Sequence, residues 1–318
     1  MRHARRRLIV VTLLAFAALS GCSRATEIQN RLAALGEPLA PVMRDAVWAH
    51  GDPYTWQSRR NVLIESTWND YLHGREPMVN HRLYAIDLTS RRMRIEDRTT
   101  QTVSLYDGNR WRVFIQGQEI QKPAELTEET APYMAMLEYA ACEMRVVRLL
   151  FCLPYSLLED GVSLRSLGRI ESPGGGNVWD VVEATFDYQK TGFLPTDRLM
   201  VYFDERSDRV FQVFLRMSGE PFYSMPFWGE WADYRRQDDG LLVARRWEFR
   251  RTDEQGQADK GRRLSMVHNK VAFNQDLPAG LFDKPTVAMP PVPDAPVAPP
   301  AKRIGEDVID PRAAAPQP

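Results

Sequence analysis

The chain has little of what catalysis usually requires. It holds five histidines and three cysteines in 318 residues, and no two histidines stand at the i, i+4 spacing that puts a pair of metal ligands on one helix face. His73 and His81 would meet only across a hairpin, too thin a set for a metal site. No G-x-S-x-G elbow offers a nucleophilic serine. Gly174-Gly175-Gly176 is not followed by the Gly-Lys-Ser/Thr of a phosphate cradle, so it reads as a flexible loop. These absences point to a protein that is not an enzyme and needs no cofactor. An uncharged run of the roughly 20 residues that a membrane-crossing helix needs is also missing. A basic excess is missing too: the formal net charge is −1, which argues against nucleic acid, a partner that calls for a clustered basic face.

What is present starts with a leader. Residues 1–7, MRHARRR, are strongly cationic, and residues 8–19, LIVVTLLAFAAL, are uncharged and almost wholly apolar, an n-region followed by an h-region. Leu19-Ser20-Gly21-Cys22 closes the run. This pattern resembles the bacterial lipoprotein signal, and the resemblance implies cleavage before Cys22, lipidation of its thiol and acylation of the new amino terminus. The competing reading is a plain secretory leader with an incidental cysteine. Several acyl chains at about 0.8 kcal/mol per buried methylene hold a protein on a membrane where one chain would not. Ser23 in place of an aspartate after the cysteine favours the outer membrane, facing the periplasm. Without residues 1–21 the chain carries 37 cations against 42 carboxylates, a net charge of about −5 with neutral histidine.

Cys142 and Cys152 lie ten residues apart in one apolar segment. On a continuous helix that separation is about 15 Å, whereas a disulfide needs Cα atoms within about 7 Å. They read as buried thiols, bridged only if the helix breaks before Pro154 and folds back.

Residues 22–37 read as a polar tether, partly helical at most. A helix is expected over 38–49, where Leu39, Val42, Met43, Ala46 and Val47 recur at helical spacing before Gly51-Asp52-Pro53. The period then changes to two: Met93 and Ile95 alternate with Arg92, Arg94 and Glu96, and Trp111, Val113 and Ile115 with Arg110, Arg112 and Gln116. Strands are expected at about 59–69, 80–88, 91–98, 101–106 and 110–116, with Asp107-Gly108 turning the last hairpin. From Thr127 to Leu158 runs the exception, a helix over about 130–153 whose one clear polar stripe is Glu138, Arg145 and Arg148. A helix so apolar must be covered on most sides. Strands resume after Gly161, the cleanest over 241–250. The whole is mainly β (α+β): a strongly curved antiparallel half-barrel of about 10–12 strands, with an N-terminal helix and one long apolar helix covering its concave face. Residues 286–318, rich in Pro and Ala and devoid of aromatics, read as a disordered tail.

Three stretches, DRLMVYFDERSDRVFQV, WGEWADYRRQDDGLLVARRWEF and MVHNKVAFNQDLPAGLFDKP, resemble the closing strands of the LolA/LolB-like lipoprotein-carrier superfamily. Tyr106-Asp107-Gly108 with Trp111, and the first helix running into His50-Gly51 and Trp56, fit the same group. The resemblance covers residues 38–285 and implies an unclosed half-barrel with helices lidding a hydrophobic cavity. A membrane anchor and a Pro-rich tail depart from the soluble carrier. The expectation is a lipid, acyl chain or other apolar ligand held against Trp111, Val113, Ile115, Met134, Leu137 and Met144. Trp228 and Trp231, in the aromatic run 221–234, either rim the cavity mouth or serve as ordinary core. The rival function is a protein-binding or sensory envelope module, with the Pro-rich tail or a strand edge meeting a partner.

Overall fold

The computed structural model describes residues 27–294, apart from 72–75, 109, 124, 126, 172–175, 218–225 and 253–257. The leader, Cys22, His73 and the residues after Asp294 lie outside it. Helix α1, over 27–34, precedes α2 (Leu39–His50) and α3 (Pro53–Gln57). Ile28, Leu32 and Leu35, spaced i, i+4, i+7, pack against the core, and Arg31 Nη2 donates to Asp160 at 2.9 Å. The expected tether is therefore docked on the domain from residue 27 onward. Its apolar stripe, diluted by polar neighbours, was the available signal.

Strands β1 (Asn61–Asp70), β2 (Met78–Asp87), β3 (Met93–Asp97), β4 (Thr102–Tyr106), β5 (Trp111–Ile115) and β6 (Gln118–Glu119) form one meander. Helix α4 (Ala131–Phe151) follows. Then come β7 (Val162–Glu171), β8 (Val178–Phe186), a short helix α5 (Tyr188–Thr191), β9 (Arg198–Asp204), β10 (Val210–Arg216), β11 (Phe227–Arg236), β12 (Leu242–Thr252) and β13 (Ala258–Phe273). Among the described residues one antiparallel sheet of thirteen strands runs β6-β5-β4-β3-β2-β1-β13-β12-β11-β10-β9-β8-β7. The count exceeds the expected 10–12, partly because the two residues of β6 are too few to show alternation. The edges are β6 and β7, and α4 is the segment that joins them.

That connection curls the sheet. Arg91, in the turn between β2 and β3, donates through Nη1 to the carbonyl of Lys190, in α5 between β8 and β9, at 2.6 Å. In a flat sheet these places are seven strand spacings apart, about 35 Å. They meet because α4 lies on the inner face and both ends of the sheet wrap onto it. Buried Cys142, Met144, Val147, Leu149, Leu150 and Phe151 of α4 share one core with Val62 and Ile64 of β1, Tyr84 and Ile86 of β2, and Val182, Leu199 and Val213 from the other half. Cys142 and Cys152 are buried thiols that form no disulfide, and burial pushes the Cys152 thiol up to about 12.

The outer face carries a second core, and here two expectations are corrected. Leu63, Leu83 and Ala85 point away from α4, one residue out of phase with its partners, and pack against Leu281, Phe282, Met289 and Val292. Residues 286–294 thus belong to the packed domain and not to a tail; a Pro-rich segment that cannot build a core alone can still cap an existing apolar strip. Arg94, read as solvent-facing, is buried by that strap. It donates to the carbonyls of Leu281 (3.0 Å), Lys284 (2.9 Å) and Pro285 (2.9 Å), and pairs with Glu96 at 2.6 Å. Arg94→Ala should cost about 3 kcal/mol in urea unfolding, because it orphans three buried carbonyls and one carboxylate. It should also expose the chain near 285 to limited proteolysis, whereas a surface arginine such as Arg110 should change stability by less than about 0.5 kcal/mol.

Candidate functional site

Helix α4 has two working faces. At 100° per residue, Tyr139, Glu143, Val146, Val147 and Leu150 fall within about 100° of one another, and Met144, Arg145, Arg148 and Leu149 lie on the opposite side. The first face roofs a cavity of about 310 Å³ whose floor is the middle of the sheet, from β2 through β1, β13 and β12 to β11 and β10. Twelve of its eighteen lining residues are apolar, among them Trp68, Met78, Leu215, Phe227, Phe249 and Met266, a volume at the small end of the range for ligand sites. Gly229 makes room for this wall: a Cβ there would sit 2.7 Å from the Trp231 ring and 2.8 Å from that of Phe249.

One end of the cavity is polar. Arg82 of β2 pairs with Glu143 of α4 and with Asp97 of β3, the latter at 3.1 Å, and its guanidinium lies 4.0 Å from the centroid of the Trp68 ring. Asp97 also accepts from the Thr99 and Thr100 amides at 2.9 and 3.0 Å, which fixes the β3–β4 turn. Burial raises the Glu143 carboxyl above the ordinary carboxylate range in spite of Arg82, and burial beside Glu143 raises the Tyr84 phenol. The indole N–H groups of Trp68 and Trp247 are buried without a hydrogen-bond partner, and both rings line the cavity. Among the described residues no group of three His, Cys, Asp or Glu is arranged to hold a metal ion. The arrangement can sequester an apolar chain and offer donors to an acceptor on it.

No family model and no curated protein matches the sequence. Solved structures do. A LolA superfamily protein from Nitrosomonas europaea aligns over 77% of this chain and 96% of its own at 9% identity, with a TM-score of 0.49. A DUF1329 family protein from Desulfovibrio piger aligns over 78% and 98% at 10% identity, TM-score 0.48. An outer membrane lipoprotein-sorting protein domain from Vibrio parahaemolyticus aligns over 76% and 95% at 10%, TM-score 0.46. These are likenesses of fold. At these identities and scores nothing about ligand or partner transfers from them.

The residues expected to hold a ligand are not the ones that line this cavity. Trp111 and Met144 line a different one, on the Arg145 side of α4. Trp111 stacks on Tyr106 with centroids 3.8 Å apart. Val113 is buried, while Ile115, Met134 and Leu137 are partly exposed, and none of the four borders the apolar cavity. Trp228 packs between Tyr202 and Phe214, at 5.4 and 5.0 Å. Trp231 is core beside Trp247, 5.3 Å away. The difference has a physical cause: alternation says which residues of β5 are buried, but not that β5 sits near an edge while the cavity lies over the central strands. Trp68, Trp247 and Phe249 gave a hydrophobic signal no different from that of core. Glu143, sited off the polar stripe, was the one local clue to a charged partner beneath α4.

Two buried histidines stand beside the wall. His268 bonds Ser66 Oγ through Nδ1 at 2.7 Å and meets Trp247 edge to face at 4.5 Å. Burial, helped by Arg245, pushes its pKa down to about 3. His50 donates from Nδ1 to the Ala46 carbonyl at 2.9 Å, and burial lowers it to about 4. Both are neutral when folded, so their contribution is full above pH 6.5. It is lost as pH falls towards 4 and 3, because the unfolded chain takes up protons first. Raised Glu143 works in the opposite sense. The urea midpoint should fall between pH 7 and pH 4.5, and His268→Asn should lower stability at pH 7 and flatten that slope; a wild-type midpoint that does not move would contradict the assignment.

Proposed function

We propose that the protein binds an apolar ligand, a lipid or acyl chain, in the cavity between α4 and the central strands, and performs no chemistry on it. The observation that carries this is the mostly apolar lining of a cavity of about 310 Å³ between α4 and the central strands. Each methylene moved from water to such a wall contributes about 0.8 kcal/mol. The unpartnered indole donors of Trp68 and Trp247 favour a chain that also carries an acceptor, such as a carbonyl or ester oxygen. The same proposal places the domain at the periplasmic face of a bacterial outer membrane, anchored through lipid on Cys22. Holding or passing a ligand at a fixed site suits a tethered domain better than carrying one between membranes.

Native mass spectrometry of gently purified protein should find co-purified lipid, and a fluorescent fatty acid should be displaced by unlabelled acyl chains. Met266→Trp, which fills the cavity from β13, should weaken that binding at least tenfold while the chain stays folded. An empty domain without measurable affinity in wild type would sink the reading. For the anchor, Cys22→Ala should move the protein from the membrane to the soluble fraction.

A further inference from the structure

The second cavity, about 330 Å³, lies on the opposite side of α4, where the two ends of the curled sheet come together. One end contributes Met93, Tyr106 and Trp111 from β3, β4 and β5. The other contributes Phe186 and the α5 loop, residues 188–193. Its electrostatics are unlike those of the apolar cavity. Arg145 and Arg148, three residues apart, are neighbours on one helix face, a placement that repels like charges. Glu159 is shared between Arg148 (2.6 Å) and Arg91 (3.6 Å). Asp160, beyond it, is shared between Lys190 (3.0 Å) and Arg31 (2.9 Å). Arg145 donates to the Gly192 carbonyl at 2.7 Å, and among the described residues no carboxylate pairs with it. Five cations are thus served by two carboxylates in and around one cavity. The Nε atoms of Arg145 and Arg148 are buried without a hydrogen-bond partner, an arrangement that costs stability unless an acceptor reaches them.

We propose that this cavity is a binding site for a phosphate monoester attached to an apolar, ring-sized body. The phosphate meets the guanidinium groups of Arg145 and Arg148, with Arg91 and Lys190 completing the positive field. Arginine suits this role because its fork delivers paired donors to phosphate oxygens. A dianion matches an excess of three positive charges better than a carboxylate does. The apolar body rests against Trp111, whose ring is braced by Tyr106, and against Met93. Because the walls come from both ends of the sheet, the bound anion also holds those ends on α4. The site is independent of the apolar cavity and stands whether or not that cavity takes a lipid.

Isothermal titration calorimetry on the full chain in detergent tests this with four probes: phenyl phosphate, inorganic phosphate, benzyl alcohol and short-chain phosphatidate. Phenyl phosphate should bind saturably with a Kd of about 1 mM or tighter, inorganic phosphate more weakly, and benzyl alcohol not at this site. Phosphatidate binding better than phenyl phosphate would mark a lipid headgroup as the source, and the reverse a soluble ester. Arg145→Gln should weaken phenyl phosphate at least tenfold and leave fatty-acid binding in the other cavity unchanged. Trp111→Leu should weaken phenyl phosphate but leave inorganic phosphate unaffected. Should Arg145→Gln fold poorly, Arg145→Lys, which keeps the charge but loses the fork, should show a smaller loss. No saturable heat with any phosphate monoester, or full affinity in the Arg145 variants, overturns the proposal.

Discussion

Everything in this molecule follows from the burial of α4. Its 21 residues are apolar on more than one face, so packing against a flat sheet would leave much of it in water. Because the helix also joins the two edge strands, β6 and β7, the sheet that covers it must bring its own ends back to it. The curl is therefore the way thirteen strands cover the C-terminal half of one helix, where its buried residues from Ala140 to Phe151 lie. The right-handed twist of paired strands makes bending in this sense easy, and the polar side chains on α4 act as rivets: Glu143 to Arg82, Arg145 to the Gly192 carbonyl, Arg148 to Glu159.

Most of that architecture is legible in the sequence, for identifiable reasons. Period-two alternation located β1 to β5 and β12 to within two residues, and Asp-Gly turns supplied positive φ where hairpins needed it, as at Gly108 and Gly240. The long helix announced itself by length and by the lack of any strand period. Three features were hidden. A strap that adds Met289 and Val292 to an outer apolar strip has no period of its own, so its composition reads as tail. Arg94 keeps the pattern of an exposed strand arginine, and only the strap's carbonyls make it a buried one. Cavity walls and solid core use the same residue types, so Trp68 and Trp247 could not be told from Trp231 before the strands were placed.

The two cavities divide along the helix. Its Glu143 face looks onto the central strands, where the floor is apolar and Arg82 is neutralised by Glu143 and Asp97. Its Arg145 face looks onto the meeting ends of the sheet, where positive charge is in excess. One element thus separates an apolar site from a cationic one, and a displacement of α4 would alter both. The histidines beside the apolar wall are neutral through burial, in line with the cost of ionising groups in a dry interior.

The central claim is that the ends of the sheet close onto α4. Pulsed electron resonance between spin labels at Ser90→Cys and Gln189→Cys, two exposed positions flanking the Arg91 to Lys190 contact, reads it directly. The native Cys142 and Cys152 are buried and should not label. The account predicts one narrow distance, about 20 Å or less with the labels included. A distribution centred near or beyond the roughly 35 Å of a flat sheet would contradict it.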